Sequence, residues 1–495
     1  MSKIIIQNGN MCELDLPLKF AQKLYNEFAI RHPNAFYLRT RQRGMQNWDG
    51  KIHYITKTGQ FKIGLLPKVY DMCIEMGIKP KVVDMRQPLP KVSKVVTNIG
   101  KYKLRPEQEK AVKSVINNRV GDIPFQIGVL DLTVNFGKTL IMTSLYLSYK
   151  KQLKTLLITN DSDWLNQARE EFKQYLPGEN ITFVQGKVLN WSNFTIGMVQ
   201  SISRNMRFYQ KELSQIDMVL VDEADQGGSK QYQNVITRLF NTRVRIGLSG
   251  TIYMSKLAKD KVKNMNLECF FGKVLAEFKL KDSIKKGYST KTVVKMVPGK
   301  PWYGNWESDC ISYKEIYDDS ITNCYTAWLM AYNRLLWNLN QGRYPALVVC
   351  KHIAHCENLY KFFKKKLGDA YNIAYVHVNT SSKLRQQIMK DFREGKIDIL
   401  VSTTIIARGK NFPKLKYLLN AASMDSQEKS IQFLGRLVRT DKSKKKVYLD
   451  DLHYPGNYLD RHGKHRKQYY QRQELKVILL DKLWKKHPNH SLIKS

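Results

Sequence analysis

From about residue 100 onward, short β-branched or leucine-rich runs alternate with stretches of helical length, and this alternation restricts the possible folds more than any other feature. The runs that have the character of buried strands lie at residues 155–159, 216–222, 244–249, 345–350, 396–402 and 445–450. Stretches such as 164–175 and 383–394 have the length of helices. Such alternation builds a mostly parallel sheet that helices cover on both faces. Because the pattern occurs twice, we predict two α/β domains in tandem.

The proline-bearing segment at residues 85–92 separates these domains from what precedes them, because two prolines between periodic stretches mark a connection. The predicted organisation is an N-terminal α+β accessory domain (1–92), a first α/β domain (93–290), a second α/β domain (291–450) and a basic C-terminal helical extension (451–495). The extension mixes basic and aromatic residues. It either contacts duplex nucleic acid or packs on the second domain, and its sequence favours neither.

Residues 132–139 have the context of a phosphate-binding loop, since they follow the strand-like run IGVLDL and open a helical segment. Backbone N–H groups at such a helix start cradle phosphate, while Lys138 would reach the β- and γ-phosphates and Thr139 would offer its hydroxyl to Mg²⁺. The other loop residues assigned to ATP binding are Asn135, Phe136 and Gly137. Leu132 stands where the usual motif has glycine, although Asn135 tolerates the left-handed conformation that such a loop needs.

A second cluster, Asp222-Glu223-Ala224-Asp225, ends the apolar run MVLV, 84 positions after Lys138. Carboxylates at the carboxyl end of a strand lie where α/β sheets bind ligands. There Asp222 would hold Mg²⁺, and Glu223 would orient and deprotonate the attacking water.

A third cluster consists of Gln432, Arg436 and Arg439. Arginines four and seven positions after a glutamine are predicted to lie near one helix face. One or both would stabilise charge on the γ-phosphoryl group. Together the three clusters predict an ATPase.

The charge of the chain indicates its partner, because 82 Lys and Arg residues face 43 Asp and Glu residues, a formal net charge of +39. Such a field attracts polyanions over long distances. No amphipathic anchor or long apolar span accompanies it, so we interpret it as nucleic-acid binding and expect no membrane association. The seven cysteines are scattered without C-x-x-C pairs, which predicts a reducing, cytoplasmic location.

Nine short blocks follow one another across residues 100–450. They are LRPEQ (104–108), NFGKT (135–139), LLITNDSDWLNQ (156–167), VQSIS (199–203), DEAD (222–225), LSGT (248–251), VVCKH (348–352), VSTTIIARGKNFP (401–413) and QFLGRLVR (432–439). In this order they resemble the motifs of the superfamily 2 helicases. The resemblance implies two RecA-like domains that hold ATP and Mg²⁺ between them and move along nucleic acid.

The resemblance also implies roles for single residues. Gln108 with Arg105 would recognise adenine, and Gly409 would lie close to nucleotide. Ser249 and Thr251 would couple hydrolysis to domain movement. The residues implied to grip the sugar-phosphate backbone of one strand are Thr159, Asn160, Gln200, Ser201, Lys351, Thr403 and Thr404.

The segment at residues 47–69, NWDGKIHYITKTGQFKIGLLPKV, resembles the accessory domain of the UvsW-like phage recombination helicases. Ahead of it, Arg39, Arg41 and Arg43 alternate along an apparent strand, so we expect their side chains to share one face against phosphates. Trp48 precedes Asp49-Gly50, which predicts a tight turn that carries an aromatic ring. This resemblance implies a monomeric motor that remodels forked or branched DNA, by fork regression, Holliday junction migration and D- or R-loop unwinding.

Two alternatives stay open on the sequence. One is another motor of the same superfamily, such as an RNA helicase or the motor of a restriction complex. The other is a basic DNA-binding protein with a degenerate ATPase, which the departures at Leu132 and Phe136 leave conceivable.

Overall fold

The computed structural model describes residues 2–41, 45, 47–186, 188–250, 252, 260–299, 312–407 and 412–480. The chain divides into two compact units, Met1–Phe278 and Lys279–Ser495. Each unit is built around a large parallel sheet with helices on its faces, as the sequence predicts.

The first unit contains ten of the described helices and eighteen of the described strands. Its strands are β1 (Lys3–Ile6), β2 (Met11–Asp15), β3 (Ala29–Arg31), β4 (Lys51–His53), β5 (Gln60–Lys62), β6 (Lys81–Asp84), β7 (Asn98–Ile99), β8 (Tyr102–Lys103), β9 (Arg119–Val120), β10 (Ile123–Pro124), β11 (Ile127–Leu132), β12 (Thr155–Thr159), β13 (Ile181–Gln185), β14 (Val188–Leu189), β15 (Phe194–Met198), β16 (Met218–Asp222), β17 (Val244–Ser249) and β18 (Val274–Phe278). Its helices are α1 (Leu18–Glu27), α2 (Ala35–Arg41), α3 (Leu66–Glu75), α4 (Pro106–Ile116), α5 (Lys138–Ser148), α6 (Ser162–Tyr175), α7 (Val199–Arg204), α8 (Gln210–Ser214), α9 (Lys230–Ile236) and α10 (Lys261–Phe271).

Among the described residues, the large sheet of the first unit has eight strands in the order β14-β13-β15-β12-β16-β17-β11-β18. Every pairing is parallel except that of β13 with β14. Strands β11, β12, β15, β16 and β17 are buried along their whole length. Their apolar runs are continuous because helices cover both faces of the sheet, which leaves no polar face to alternate with.

The N-terminal segment forms a small four-stranded sheet in the order β5-β2-β1-β6, together with α1 and α3. Its core is continuous with that of the large sheet, since Ile4 and Ile6 belong to the same buried cluster as Val219 and Val221. The backbones also approach closely, because a Cβ atom on Gly64 would lie 2.1 Å from the carbonyl oxygen of a residue in α10.

A buried arginine fastens the N-terminal segment to the large sheet. Arg245 of β17 donates hydrogen bonds to the carbonyl oxygen of Gly9 (2.5 Å), the side-chain oxygen of Asn10 (2.8 Å) and the carbonyl oxygen of Phe270 (3.1 Å). Burial lowers the pKa of this guanidinium to about 9. Buried cations are retained where polar groups surround them, and here those groups belong to two separate parts of the first unit, the N-terminal segment and helix α10.

The expected arginine strip is wrong, because Arg39 and Arg41 lie in helix α2. Residues two apart in a helix point about 200° apart around the axis, so these side chains do not share a face. Helical geometry instead places Arg41 over the ring of Tyr37, one turn earlier, at 5.1 Å. Arg43 lies outside the described residues.

The second unit is a seven-stranded sheet within the part of the chain that the structure describes, in the order β21-β22-β20-β23-β24-β19-β25, with all pairings parallel. Its strands are β19 (Lys291–Pro298), β20 (Ala346–Cys350), β21 (Ile373–Val376), β22 (Ile399–Thr403), β23 (Tyr417–Asn420), β24 (Lys446–His453) and β25 (Val477–Leu479). Its helices are α11 (Leu280–Lys285), α12 (Tyr313–Tyr317), α13 (Tyr325–Leu339), α14 (Ile353–Leu367), α15 (Ser382–Glu394), α16 (Gln427–Leu437) and α17 (Asn457–Arg472).

Two consecutive aspartates on β24 hold helices on opposite faces of this sheet. Asp450 accepts hydrogen bonds from Arg334 of α13 (2.6 and 2.9 Å). Asp451 accepts them from Arg466 of α17, and both side chains of this pair are fully buried. The C-terminal helix is therefore part of the second unit, and its contact with nucleic acid stays a prediction.

We predict that Arg466→Met lowers the free energy of unfolding of the second unit by about 3–5 kcal/mol, because Asp451 would stay buried without its cation. Chemical denaturation followed by circular dichroism measures this change. The matched control is Arg461→Met, the same substitution at an exposed position of the same helix, with an expected change within about 0.5 kcal/mol. Equal stability of the two variants would show that the buried pair contributes nothing.

Candidate functional site

The candidate residues of the first unit lie along one edge of its large sheet. Five neighbouring strands, β15, β12, β16, β17 and β11, are parallel, so their carboxyl ends meet at this edge. The residues at or just after those ends, in the same strand order, are Gln200 and Ser201, Thr159 and Asn160, Asp222 and Glu223, Ser249, and the loop that leads to Lys138. This edge is where α/β sheets bind their ligands.

The Lys138 ammonium connects two of these strand ends. Its Nζ atom lies 3.4 Å from Oδ1 of Asp222 and 3.7 Å from Oε1 of Glu223. Because β17 lies between β11 and β16, the lysine side chain spans a neighbouring strand to reach these carboxylates. The side chains of Lys138 and Asp222 are only 17% and 4% exposed, so water screens this interaction weakly.

The charges of this cluster perturb one another. Burial alone would lower the pKa of Lys138, but the carboxylates of Glu223, Asp222 and Asp225 outweigh it and raise that pKa above its ordinary value. Burial raises the pKa of Asp222 to about 6, against the opposing effect of Lys138. In this arrangement, a phosphate group can replace the two carboxylates as the partner of the buried Lys138 ammonium.

Glu223 adopts a left-handed backbone conformation with φ of 53°. This conformation costs a non-glycine residue roughly 1–2 kcal/mol. It turns the chain sharply after β16 and brings the carboxylate to the same lysine as that of Asp222. Strain of this kind is typical of functional sites.

The phosphate loop closes in the way that the sequence predicts for Asn135. Its φ is 64°, and that of Gly137 is 83°. Gly137 is the N-cap of α5, so the helix starts at Lys138 with its N–H groups directed toward the loop. Both polar atoms of the Asn135 side chain are buried without a hydrogen-bond partner in the described part of the chain. These features fit a triphosphate, which would supply acceptors at the helix start.

The side chain of Gln108 holds this loop through hydrogen bonds. Its side-chain Nε2 donates to the carbonyl oxygen of Phe136 at 2.6 Å, and its Oε1 accepts from the N–H of Arg105 at 2.8 Å. The ring of Phe136 is buried against Phe278, with centroids 4.6 Å apart. Phe136 therefore anchors the loop in the core, while adenine recognition by Gln108 and Arg105 stays a prediction.

The residue assigned to coupling contacts the acidic cluster. Ser249 Oγ donates a hydrogen bond of 2.9 Å to Oδ1 of Asp225, and both residues are buried. This bond joins the end of β17 to the turn that follows β16. Thr251 lies outside the described residues.

The residues assigned to nucleic acid lie toward the other end of the same edge. Gln200 Nε2 approaches the carbonyl oxygen of Asn160 at 3.5 Å, and the Asn160 amide donates to Gln226, just after the acidic cluster. Thr159 is fully buried and accepts from the N–H of Asp161, so its hydroxyl faces the interior. Sequence reasoning missed Gln226, although its position beside the acidic tetrad is a usable signal.

Ser201 lies in helix α7, and Trp48 lies beside a local turn of the first unit. Ser201 Oγ accepts the N–H of Gly186 at 2.9 Å. The predicted tight turn is present, because Asp49 Oδ1 accepts from the N–H of Lys51 and Gly50 has a φ of 77°. Trp48 is partly exposed and donates its indole N–H to the carbonyl oxygen of Lys51 at 2.9 Å.

In the second unit, Lys351 follows β20, while Thr403 ends the adjacent parallel strand β22 and Thr404 follows it, so all three share a carboxyl edge. Lys351 lies over the rings of Tyr313 (4.1 Å) and Tyr317 (4.9 Å), and burial lowers its pKa. Thr404 Oγ1 accepts from Lys429 Nζ at 3.3 Å. No motif in the sequence points to Lys429, which is the third residue of α16.

The assignment of both arginines to one helix face is wrong in one respect. Helix α16 contains Gln432 and Arg436 but ends at Leu437, so Arg439 lies beyond it. Beyond this end, the buried Lys444 ammonium donates to the carbonyl oxygens of Leu437 and Leu415, each at 2.9 Å. Burial lowers the pKa of Lys444 to about 8. Gly409 lies outside the described residues.

The family described as "Type III restriction enzyme, res subunit" matches residues 101–254, and "Helicase conserved C-terminal domain" matches residues 329–441. The chain is 22% identical to the ATP-dependent DNA helicase uvsW of Enterobacteria phage T4, over 88% of this chain and 90% of that protein.

Two solved structures share the fold. The DNA-bound Type ISP restriction–modification enzyme LlaBIII has a TM-score of 0.57 at 14% identity, over 81% of this chain and 33% of that one. Saccharomyces cerevisiae Dbp5 bound to RNA and ADP BeF3 has a TM-score of 0.52 at 14% identity, over 77% of this chain and 90% of that one. One neighbour holds DNA and the other RNA, so the fold alone does not distinguish the two polymers.

We predict that Gly137→Ala weakens ATP binding at least about tenfold, because a Cβ atom there would lie 2.5 Å from Nε2 of Gln108 and the φ of 83° strains any L side chain. Titration with a fluorescent ATP analogue measures the affinity. Gly178→Ala is the control, since its φ is 80° but no described atom lies within 4 Å of the added carbon. Equal affinities of both variants and the unmodified protein would remove this loop from the ATP site.

Proposed function

Since the chain belongs to the superfamily 2 helicases, which are nucleic-acid-dependent ATPases, we propose that it is a DNA motor that remodels branched DNA. The single observation that supports the motor most directly is the Lys138 ammonium, held between the Asp222 and Glu223 carboxylates at the carboxyl edge of a parallel sheet. The DNA-specific part of the proposal adds to this the excess of basic residues and the N-terminal segment.

In the proposed reaction, the triphosphate binds at the start of α5 and Lys138 exchanges its carboxylate partners for phosphate oxygens. Glu223 then becomes available to accept a proton from the attacking water, which its partial exposure permits. Thr139 and Asp222 are the residues that would hold Mg²⁺. When bound, this ion neutralises charge that develops on the phosphates.

We assign Arg436 and Arg439, with Gln432, to the γ-phosphoryl charge, and Gly409 to nucleotide contact. We assign Ser249 and Thr251 to the coupling of hydrolysis with movement. The bond between Ser249 and Asp225 supports this role, because a change of charge beside Asp222 reaches β17 through one hydrogen bond. In this proposal, the protein moves along the strand because the two units bind it alternately.

We assign the grip on one strand to two sets of residues, each on the carboxyl edge of its own sheet. The set on the first unit is Asn160, Gln200 and Ser201 with the backbone at Thr159, and the set on the second is Lys351, Thr403 and Thr404. Polar side chains and N–H groups at such edges contact phosphate and sugar, which carry no base information. Binding is therefore expected to be independent of sequence.

Selection of branched DNA is assigned to the N-terminal segment, with Arg39, Arg41, Arg43 and Trp48. The exposed aromatic side chains of Phe36 and Tyr37 lie on the same short helix as Arg39 and Arg41. A basic helix with exposed rings fits the single-stranded parts of a branch point. The similarity to a phage protein named as a DNA helicase supports DNA over RNA.

We predict that Lys138→Ala abolishes nucleic-acid-stimulated ATP hydrolysis, while the Kd for DNA changes less than about threefold because phosphate contacts elsewhere persist. Phosphate release should be measured with forked DNA, four-way junctions, R-loops, single strands and plain RNA. Greatest stimulation by branched DNA is expected. Full turnover by the variant would exclude this loop as the ATP site, and greatest stimulation by RNA would identify an RNA motor instead.

We also predict that the double variant Arg39→Ala and Arg41→Ala lowers the affinity for forked DNA about tenfold or more at low salt, by loss of two phosphate contacts. ATPase activity stimulated by a short single strand should stay unchanged, because these residues lie outside the assigned ATP site. The ratio of fork to single-strand stimulation is the measurement. An unchanged ratio would exclude α2 from branch recognition.

A further inference from the structure

A surface of the second unit that the motor motifs do not use combines cations with aromatic rings. We define this basic–aromatic edge as Lys295, Trp337, Arg343, Lys416, Lys446 and Tyr448. Lys416 directly precedes β23 and Lys446 begins β24, so these two lie at the amino ends of their strands, while Lys295 lies midway along β19. The candidate motor residues Lys351 and Thr403 lie at the carboxyl ends, one strand length away, roughly 15 Å.

Strand register places most of this edge on one face. Lys446, Tyr448 and Asp450 alternate along β24 and therefore point to the same side. Asp450 bonds Arg334 of α13, so this is the face that α13 covers. Lys295 is opposite Asp450 in the parallel register and shares that face. Helix α13 ends at Leu339, and near its end Trp337 is exposed, as is Lys446 at the start of β24.

The rings and cations of the edge are stacked on one another. Trp337 has Lys295 at 4.9 Å and Arg343 at 4.7 Å from its ring centroid, and Arg343 also lies 3.6 Å from the centroid of Tyr448. Backbone hydrogen bonds from Tyr448 to Lys416 and from Lys416 to Pro345 join the starts of three adjacent strands. The edge is thus continuous, and Trp337 remains 42% exposed.

The positive charge of this edge is not balanced by the protein. Within the described ranges, none of Lys295, Arg343, Lys416 and Lys446 forms an ion pair with a carboxylate, and Asp450, the acid that acts on Lys295, is paired with Arg334. Burial, together with the neighbouring cations Arg334, Arg343 and Lys446, lowers the pKa of Lys295 even though Asp450 opposes this. Like charges gathered at such short range favour an anionic partner.

We propose that the basic–aromatic edge is a second nucleic-acid site, which binds a single strand other than the one held by the motor residues. Cations interleaved with partly exposed rings and a guanidinium plane are the chemistry that holds single strands, through phosphate contacts and base stacking. A duplex would hide its bases from Trp337, and an acidic peptide would use the lysines without the ring. That this single strand is part of a branched DNA rests on the proposed function.

The test uses the full chain and two DNA probes, a single strand of about eight nucleotides that fills one site and one of about 40 that reaches a second. Lys416→Glu with Lys446→Glu is expected to raise the Kd for the long strand about tenfold and to reduce the salt dependence by about 1.4 in log–log slope, the value for two phosphates. ATPase stimulation by the short strand should not change. Trp337→Leu is expected to raise the Kd for the long strand at least about fivefold.

Two matched variants serve as controls. Lys383→Glu with Lys390→Glu changes the charge equally at exposed positions of α15 and should leave binding of the long strand nearly unchanged. Trp337→Phe keeps an aromatic ring and should retain most of the affinity. Circular dichroism must show that each variant is folded, and if Trp337→Leu is not, the lysine pair carries the test.

Three results would overturn the proposal. Folded edge variants that bind the long strand with unchanged Kd would make the edge a packing feature. Equal loss of affinity for short and long strands would show that it is not a separate site. Weaker binding of duplex DNA or of an acidic peptide, with unchanged single-strand binding, would assign it to another partner. Absence of ATPase stimulation by any DNA in the unmodified protein would instead refute the proposed function, which separates the two failures.

Discussion

The ammonium of Lys138, placed between the Asp222 and Glu223 carboxylates, is the interaction on which the site of the first unit depends. Two strand ends separated by a third strand are joined by it, and only a parallel sheet brings those ends to one edge. Because these side chains are mostly buried, water screens their charges weakly and the three charges interact strongly. Two backbone features hold this cluster in place. One is the left-handed turn at Glu223, and the other is the buried loop before Lys138, which Gln108 binds.

Much of this arrangement could be predicted from the sequence, because fully buried strands have continuous apolar runs that are easy to locate. Two of the predicted strands, Thr155–Thr159 and Val244–Ser249, agree with the structure at both ends. The left-handed Asn135 was also predictable, since few other residues adopt that conformation at low cost. Motif order allowed the candidate residues to be assigned to strand ends before their distances were known.

The remaining features depend on tertiary contacts that no local pattern records. Arginines at alternate positions suit a strand or a helix equally, and the structure places Arg39 and Arg41 in helix α2, where Arg41 stacks on Tyr37. Helix α16 ends before Arg439, where Lys444 donates to the carbonyl oxygen of Leu437, a contact that the spacing of the arginines does not reveal. The contact of the N-terminal sheet with the rest of the first unit includes Arg245, whose partners Gly9 and Asn10 lie more than two hundred positions away along the chain.

That buried arginine has a mechanical consequence. Gly9 and Asn10 are tied to the strand beside the acidic cluster, so the N-terminal sheet shares one rigid frame with the phosphate loop. If the N-terminal segment binds one arm of a junction as proposed, that arm is held by the same unit that contains the candidate ATP site. Each step along the strand would then be measured relative to the bound branch point.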